Sequence, residues 1–264
     1  MIIAEIGWNF LGNLDLAKEM IVSAKNSGCK TIKFQLWNPK NLKQGPWDKD
    51  GRREIYNKAY LNHEKYKNLY EYCKSKNLDC FASVFNMSDY KILKDIDNCM
   101  IKIPSTEAYD LDLIKKSLDH FQNVYVSTGA MKFEELELLK QFKKEKNFII
   151  LHCVSIYPLQ TSHANFEKFK YLQSEFEKVG YSGHCEGIND AIYALSLGAY
   201  CVEKHFTTSN DLEGRDNKFA ITPDLLKTLC KYQKDLKNFN IKHGLNLQEN
   251  EMEVYQNYRG RWKN

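Results

Sequence analysis

Eight short apolar segments alternate with amphipathic stretches along this 264-residue chain. That rhythm predicts an α/β protein folded as a single closed (β/α)8 TIM barrel. Two further observations favour the barrel. The eight repeats fill about 235 residues, close to the ~250 such a barrel takes. Each apolar segment also ends in a polar or ionisable residue, as expected where strand ends open on one shared mouth. A doubly wound open sheet is the competing reading.

The apolar segments fall at 2–6, 30–35, 79–84, 99–103, 123–127, 147–152, 179–182 and 199–205. Between them, "LDLAKEMIVSAKNSG" repeats apolar residues at helical spacing and stops at Gly28, a natural helix end. The stretches "EKYKNLYEYCKSKN", "FEELELLKQFKKEK" and "NDAIYALSLGA" read the same way. Two segments break the rhythm. Residues 36–62 form a long charged insertion after the second strand, expected to be a lid or binding loop. After residue 236 the alternation stops, so the expected organisation is one barrel domain over 1–236 and a polar tail over 237–264.

Composition narrows the function classes. A net charge of +4, spread along the chain without a dense basic run, gives no footprint for nucleic acid. No apolar stretch approaches the roughly 20 residues of a membrane span, and "IIAEIG" at the N-terminus lacks a signal-peptide pattern. Eight cysteines without a CxxC pair do not make a disulfide framework. Those in apolar segments, Cys80, Cys99, Cys153 and Cys201, read as small hydrophobes. A cytoplasmic protein acting on small molecules, without membrane or nucleic-acid partners, is the expectation.

The strand ends carry the chemistry. Strand 1 ends in Glu5, strand 2 in Lys33 and Gln35, strand 3 in Ser83, and strand 4 supplies Lys102, Ser105 and Glu107. Strand 5 ends in Ser127, strand 6 in His152, strand 7 in Ser182 and His184, and strand 8 in Glu203 and His205. Residues two apart on a strand share a face, so Glu203 and His205 point one way while Val202, Lys204 and Phe206 point the other. His184 and His205 form a candidate metal pair that leaves much of an octahedral shell to water and substrate. Lys33 and Lys102, with the four serines, suit a phosphate and a carboxylate. Glu107, five residues past Lys102, is a candidate acid/base. These residue types point to a metal-assisted reaction on a phosphorylated carboxylic acid.

The segments "IAEIGWNFLGNLDLAKEMI", "IKFQ", "IKIPSTEAYDLDLI", "VSTGAM", "LHCVSIYP", "VGYSGHCEGI" and "VEKHFTTSNDLEGRDNKF" occur in this order across residues 2–235. Together they resemble the N-acetylneuraminate (sialic acid) synthase family, which includes legionaminic and pseudaminic acid synthases. The resemblance implies a transferase that condenses phosphoenolpyruvate with an open-chain N-acylmannosamine-type aldose. The products are a 2-keto-3-deoxy sugar acid and phosphate, and the pathway is carbohydrate biosynthesis for a capsule or surface polysaccharide. By motif, Lys33, Lys102, Ser83, Ser105, Ser127 and Ser182 would hold phosphoenolpyruvate, with Gln35 and Tyr157 beside them. His184 and His205 would bind a divalent metal, manganese or magnesium. Glu107 would act as acid/base for the attacking water, Glu5 would contact sugar hydroxyls, and Asp216 would touch the sugar. Glu203 would either orient the metal shell or pair with a lysine. The resemblance also suggests a homodimer.

Departures from the family pattern cluster on the sugar side. Asn-His-x-Gly is here Asn9-Phe10-Leu11-Gly12; Asp-His-Thr is Gly183-His184-Cys185; Asp-His is Asp216-Asn217; and Ile156 stands in place of an Asn. Cys185 is either a soft extra ligand or filler. Family members continue into an antifreeze-like domain, and "QENEMEVYQNYRGRWKN" resembles the connector to it. From this tail Arg259, Arg261 and Trp262 would partly replace that cap, or would fray. The phosphoenolpyruvate and metal residues are present, against a non-catalytic barrel that needs a partner. Phe10, Gly183 and Asn217 favour a shorter 3-deoxy-ulosonic acid as the alternative product.

Overall fold

The computed structural model describes residues 1–262. Eight parallel strands close into a barrel in chain order, in agreement with the sequence reading. They are β1 (Ile2–Gly7), β2 (Thr31–Leu36), β3 (Asp79–Val84), β4 (Met100–Ile103), β5 (Asn123–Ser127), β6 (Phe148–Cys153), β7 (Val179–Gly183) and β8 (Val202–His205). The last closes on the first, with Glu5 opposite His205 and Ile3 opposite Glu203. Among the described residues no helix is long and apolar enough to cross a membrane.

The helices are α1 (Leu14–Asn26), α2 (Arg52–Lys58), α3 (His63–Ser75), α4 (Met87–Ile96), α5 (Leu111–Leu118), α6 (Phe133–Leu139), α7 (Phe166–Glu175), α8 (Asn189–Ser196), α9 (Pro223–Phe239) and α10 (Met252–Asn257). In α1 the Asn13 side chain accepts from the Asp15 and Leu16 amides, capping the first turn. Ala17, Met20, Ile21 and Ala24 make its buried stripe. The 36–62 insertion holds two short 3-10 turns and α2. The tail from residue 240 to 262 is solvent-exposed throughout, and α10 lies within it.

Strand alternation sorts the core into two parts. Outward residues such as Ile32, Phe34, Val124, Val126 and Ile150 join the large cluster under the helices. Inward residues Ile3, Phe81, Met100, Tyr125, Ile149, Leu151 and Cys201 form a separate plug inside the barrel. Gly180 belongs to that packing: a Cβ there would lie 2.4 Å from Leu151 Cδ2 and 2.6 Å from Cys201 Sγ. The plug seals the lower barrel, so inward residues one step further along each strand form the floor of the mouth.

Two sequence expectations need correction. The strand taken from 199 begins at Val202. The strand taken to end at His152 runs one residue further, to Cys153, which alternates to the opposite face from His152.

Candidate active site

One step above the plug, the same alternation turns Glu5, Lys33, Ser83, Lys102, Ser127, Ser182 and Glu203 inward, all of them buried. They form a layer of opposite charges. Lys33 Nζ lies 2.7 Å from Glu5 Oε2, donates to Ser83 Oγ at 2.7 Å and stands 3.7 Å from Glu203 Oε1. Lys102 Nζ donates to both Glu203 oxygens, at 3.1 and 2.9 Å. Ser182 Oγ donates to Glu203 Oε1 at 3.1 Å, and Gln35 Nε2 donates to Glu5 Oε1 at 2.7 Å. The two carboxyls are split. Burial works against the Glu203 charge, yet Lys102 and Lys33 outweigh it and hold that carboxyl down to about 2. For Glu5, burial together with the nearby Glu203 charge prevails over Lys33 and pushes it up to about 7.

A second tier sits above. The imidazoles of His184 and His205 lie with ring centroids 5.5 Å apart. His184 Nδ1 is 2.9 Å from the Val154 carbonyl, which fixes it as the donor and leaves Nε2 with a free lone pair. His205 Nδ1 is buried and among the described residues has no hydrogen-bond partner; it lies 3.5 Å from Asp216 Oδ2. Burial, and then the neighbouring His184 ring, keeps His205 well below the usual histidine range, so it stands as a neutral imidazole. Asp216, pushed up to about 6 by burial, also accepts from the Trp8 indole N–H. The Tyr157 ring lies 4.0 Å from that of His184. Cys153 Sγ is 4.0 Å from His184 Nδ1; against burial, His184 and Ser105 bring its thiol down to about 7.

Hydroxyls line the side wall. Ser105 Oγ accepts from the Gly129 amide at 3.0 Å. Among the described residues the buried Ser127 and Ser155 Oγ atoms have no hydrogen-bond partner. Gly129 keeps this cradle open, since a Cβ there would sit 2.2 Å from Ser155 Oγ and 2.7 Å from Ser105 Oγ. Unpaired buried hydroxyls in a mouth that also holds two ammonium groups suit an acceptor-rich ligand.

The remaining sequence-predicted residues differ in where they stand. His152 does not reach the mouth: its ring packs on Phe166, Phe169 and Tyr181 in the helix layer, and its Nε2 meets the Ala164 carbonyl at 2.8 Å. Glu107, half-buried on the 3-10 turn after β4, has its carboxyl raised by burial and makes no hydrogen bond or ion pair to the lysine layer. Cys185 packs with Leu159 and Ala164 and acts as filler. Glu203 takes the lysine pairing. Lys204 points outward to Asp190 at 3.0 Å and the Cys185 carbonyl at 2.6 Å. Arg259 and Arg261 lie over the tail's own Tyr255, Tyr258 and Trp262 rings, and among the described residues no hydrogen bond or ion pair joins the tail to the mouth.

The departures also resolve. Phe10 is fully buried against Phe34. A Cβ on Gly183 would fall 2.4 Å from Asp190 Oδ2, on the outer face. Asn217 is buried and donates to the Asn9 and Glu213 carbonyls. None of the three shapes the mouth, so they lose their force as evidence on acceptor size. Trp8, Cys153 and Ser155 do shape it, and sequence reasoning passed over them as side chains without obvious chemistry.

Among the described residues no three His, Cys, Asp or Glu side chains are grouped as a complete metal cage. The imidazole pair, with one orphaned nitrogen and one free lone pair, fits a divalent ion that takes its remaining ligands from water and substrate. Six ionisable groups, Glu5, Lys33, Lys102, Glu203, His184 and His205, are buried together at one end of a closed barrel. Folding alone gives no reason for that desolvation cost, and the arrangement defines an enzyme. The chain belongs to the NeuB family, whose pattern matches residues 20–243. It is 32% identical over 247 residues to N,N'-diacetyllegionaminic acid synthase of Campylobacter jejuni, covering 87% of this chain and 74% of that one. To a pseudaminic acid synthase of the same species it is 33% identical over 243 residues, covering 86% and 71%. The crystal structure of N-acetylneuraminic acid synthetase from Leptospira borgpetersenii, in complex with citrate, superposes with a TM-score of 0.84 at 31% identity, covering 99% of this chain and 92% of that one. The protein is thus an enzyme of the sugar-acid synthase class.

Proposed function

We propose that the chain condenses phosphoenolpyruvate with an open-chain aldose, giving a 2-keto-3-deoxy sugar acid and phosphate. The observation that carries this reading is the buried Lys33–Glu5–Glu203–Lys102 layer beside the unpaired Ser127 and Ser155 hydroxyls. Two ammonium groups and a hydroxyl wall match a ligand bearing both phosphate and carboxylate. In the reaction a C–C bond forms between C3 of phosphoenolpyruvate and the aldehyde carbon. Water adds at C2, and the C2–O bond to phosphate breaks, the leaving phosphate taking the electron pair. His184 and His205 would hold a manganese or magnesium ion, which polarises the aldehyde when bound. Lys33 and Lys102 orient the anion, Glu107 takes the proton of the attacking water, and Glu5 holds or moves a proton beside the acceptor hydroxyls. Gln35, Ser83, Ser105, Ser182 and Tyr157 line the substrates. With eight free thiols, the reaction belongs in the reducing cytoplasm.

The test is phosphate release from phosphoenolpyruvate with manganese across a panel of aldoses and N-acyl hexosamines, with His205→Ala as the blank. Release with one sugar, absent in the variant, supports the reading. No release with any sugar, and no phosphoenolpyruvate binding by calorimetry, overturns it.

A further inference from the structure

Of the buried lysines, Lys33, Lys102 and Lys204 each face a carboxyl. Lys168, on the first turn of α7 and half-buried, forms no ion pair among the described residues. Its Nζ donates instead to the main-chain carbonyl of Thr128, just past the end of β5, and burial pulls the ammonium below the usual lysine range. A half-buried charge whose partner is a neutral carbonyl works against folding. The position calls for a reason other than stability.

The accepting carbonyl belongs to the peptide that joins Thr128 to Gly129. That peptide is trans, since among the described residues the one cis bond is Tyr157–Pro158. In a trans unit the C=O and N–H point opposite ways. The carbonyl faces Lys168 on the helix side, and the N–H faces the cradle, where Gly129 donates to Ser105 Oγ at 3.0 Å. Thr128 is fixed from behind, its amide and its hydroxyl both donating to the Leu151 carbonyl at 3.0 Å. A hydroxyl oxygen that has accepted from an amide keeps its own proton to give. The donors therefore run one way: ammonium to carbonyl, amide to hydroxyl, hydroxyl to an entering acceptor. Hydrogen bonds in such a series polarise one another, and a charged first donor strengthens those that follow. The unpartnered Ser155 hydroxyl flanks the same face of Gly129 as Ser105.

We propose that Lys168 is a positioning residue for the phosphoenolpyruvate anion, acting through the Thr128–Gly129 peptide and the Ser105 hydroxyl. The inference rests on the synthase reading and deepens it, adding a helix residue to a site otherwise built from strand ends and their loops. Lys168 itself touches no substrate. It holds the peptide with its N–H toward the cradle, and it lends positive character to that N–H and, through it, to the Ser105 O–H. The anion gains from this before any acceptor arrives, so the contribution belongs to binding and not to the chemical step.

The experiment measures the phosphoenolpyruvate Kd by calorimetry without acceptor, and kcat and KM for manganese-supported phosphate release across the sugar panel. The proteins are wild type, Lys168→Met, Lys168→Gln, Lys168→Arg, Ser105→Ala and the Lys168→Gln/Ser105→Ala double variant. Loss of the charge in the Met and Gln variants is expected to raise Kd and KM about 10-fold, the scale on which a charge-assisted bond exceeds a neutral one. Their kcat should stay within about twofold. Lys168→Arg keeps the charge and a donor and should recover most of the affinity. In the Ser105→Ala background the Lys168→Gln effect should shrink below about threefold, because the series through which it acts is cut. The melting temperature should hold or rise in the Met and Gln variants, and the Gln and Arg variants carry the test should Lys168→Met fail to fold.

Folded variants that keep the wild-type Kd and KM overturn the inference and leave the synthase standing. So does a loss confined to stability or to kcat, and so does an undiminished Lys168→Gln effect in the Ser105→Ala background. Weaker phosphoenolpyruvate binding in the variants, when wild type releases no phosphate with any sugar, supports the positioning role and counts against the condensation. No phosphoenolpyruvate binding by wild type overturns both.

Discussion

His152 sits on β6 with its ring among the helices, and that orientation dictates an acid dependence of stability. Burial holds its imidazole down to about 4, against an ordinary 6.5. The unfolded chain therefore takes up a proton below about 6.5, the folded chain only below about 4. Between these values the unfolded state binds more protons, so stability is full above pH 6.5 and falls as pH drops towards 4. With these two values the loss is about 2 kcal/mol at pH 5 and about 3 kcal/mol at its limit. His152→Gln removes the titration and keeps an N–H donor for the Ala164 carbonyl, which Nε2 now meets at 2.8 Å. It forfeits ring contacts with Phe166, Phe169 and Tyr181 at 5.8, 6.2 and 5.7 Å, a deficit of about 1–2 kcal/mol at pH 8. Urea unfolding from pH 8 to pH 4.5 should show that deficit shrinking to nothing by about pH 5. Parallel stability profiles for the two proteins would refute the reasoning and put the imidazole in contact with water.

Four other outcomes follow from the charge layers and the cradle. Glu203→Gln leaves Lys102 and Lys33 facing one weakly ionised carboxyl; it should cost about 3–5 kcal/mol in chemical denaturation, and adding Lys102→Met should recover part of it. Lys204→Met strands Asp190 on the outer face and should destabilise by about 3 kcal/mol. Turnover per folded molecule should stay within about twofold; a collapse of kcat would mean that Lys204 faces the mouth. Gly129→Ala drives a methyl into Ser155 and Ser105, so KM for phosphoenolpyruvate should rise at least ~10-fold while the melting temperature barely moves. EDTA treatment should abolish phosphate release and manganese should restore it; activity that survives chelation would remove the metal from the proposed reaction.

The barrel was legible because its signal is redundant: eight apolar segments and the helical stripes between them point to one answer. The floor of the mouth was legible for a simpler reason. In a strand the side-chain face is fixed by parity, so Glu5, Lys33, Lys102, Ser127, Ser182 and Glu203 follow from where each strand lies. Parity also explains the failure at His152. His152 alternates with the inward Ile149, Leu151 and Cys153, so its ring points out among the helices wherever the strand is ended. Taking it as the last residue hid Cys153, the side chain that meets His184. Trp8 was hidden differently: its partner Asp216 is 208 residues away, and Tyr56, which stacks on its ring, lies in an insertion whose landing place no local pattern encodes. The family departures misled because a substitution names a position and not the face it occupies. Gly183 differs from the family pattern where the outer-face Asp190 carboxylate fills the space a side chain would need.

Charge balance in the floor layer bears on how an anion could enter so dry a place. Two ammonium groups, Lys33 and Lys102, face two carboxyls that burial and neighbours have driven apart, Glu203 to about 2 and Glu5 to about 7. Glu203 stays charged at any working pH, so Lys102 is always neutralised by it. Lys33 shares a partner that is ready to take a proton near neutrality, and once Glu5 does so the layer carries one excess positive charge at Lys33. A ligand with several negative charges therefore finds its strongest attraction on the Lys33 side, next to Ser83, and on the proposed reaction its arrival favours a protonated Glu5. That proton then sits in the same pocket as the acceptor, held by a carboxyl whose affinity matches the solution around it. The cost of burying six ionisable groups is met by pairing them unequally, and the inequality leaves one of them free to exchange.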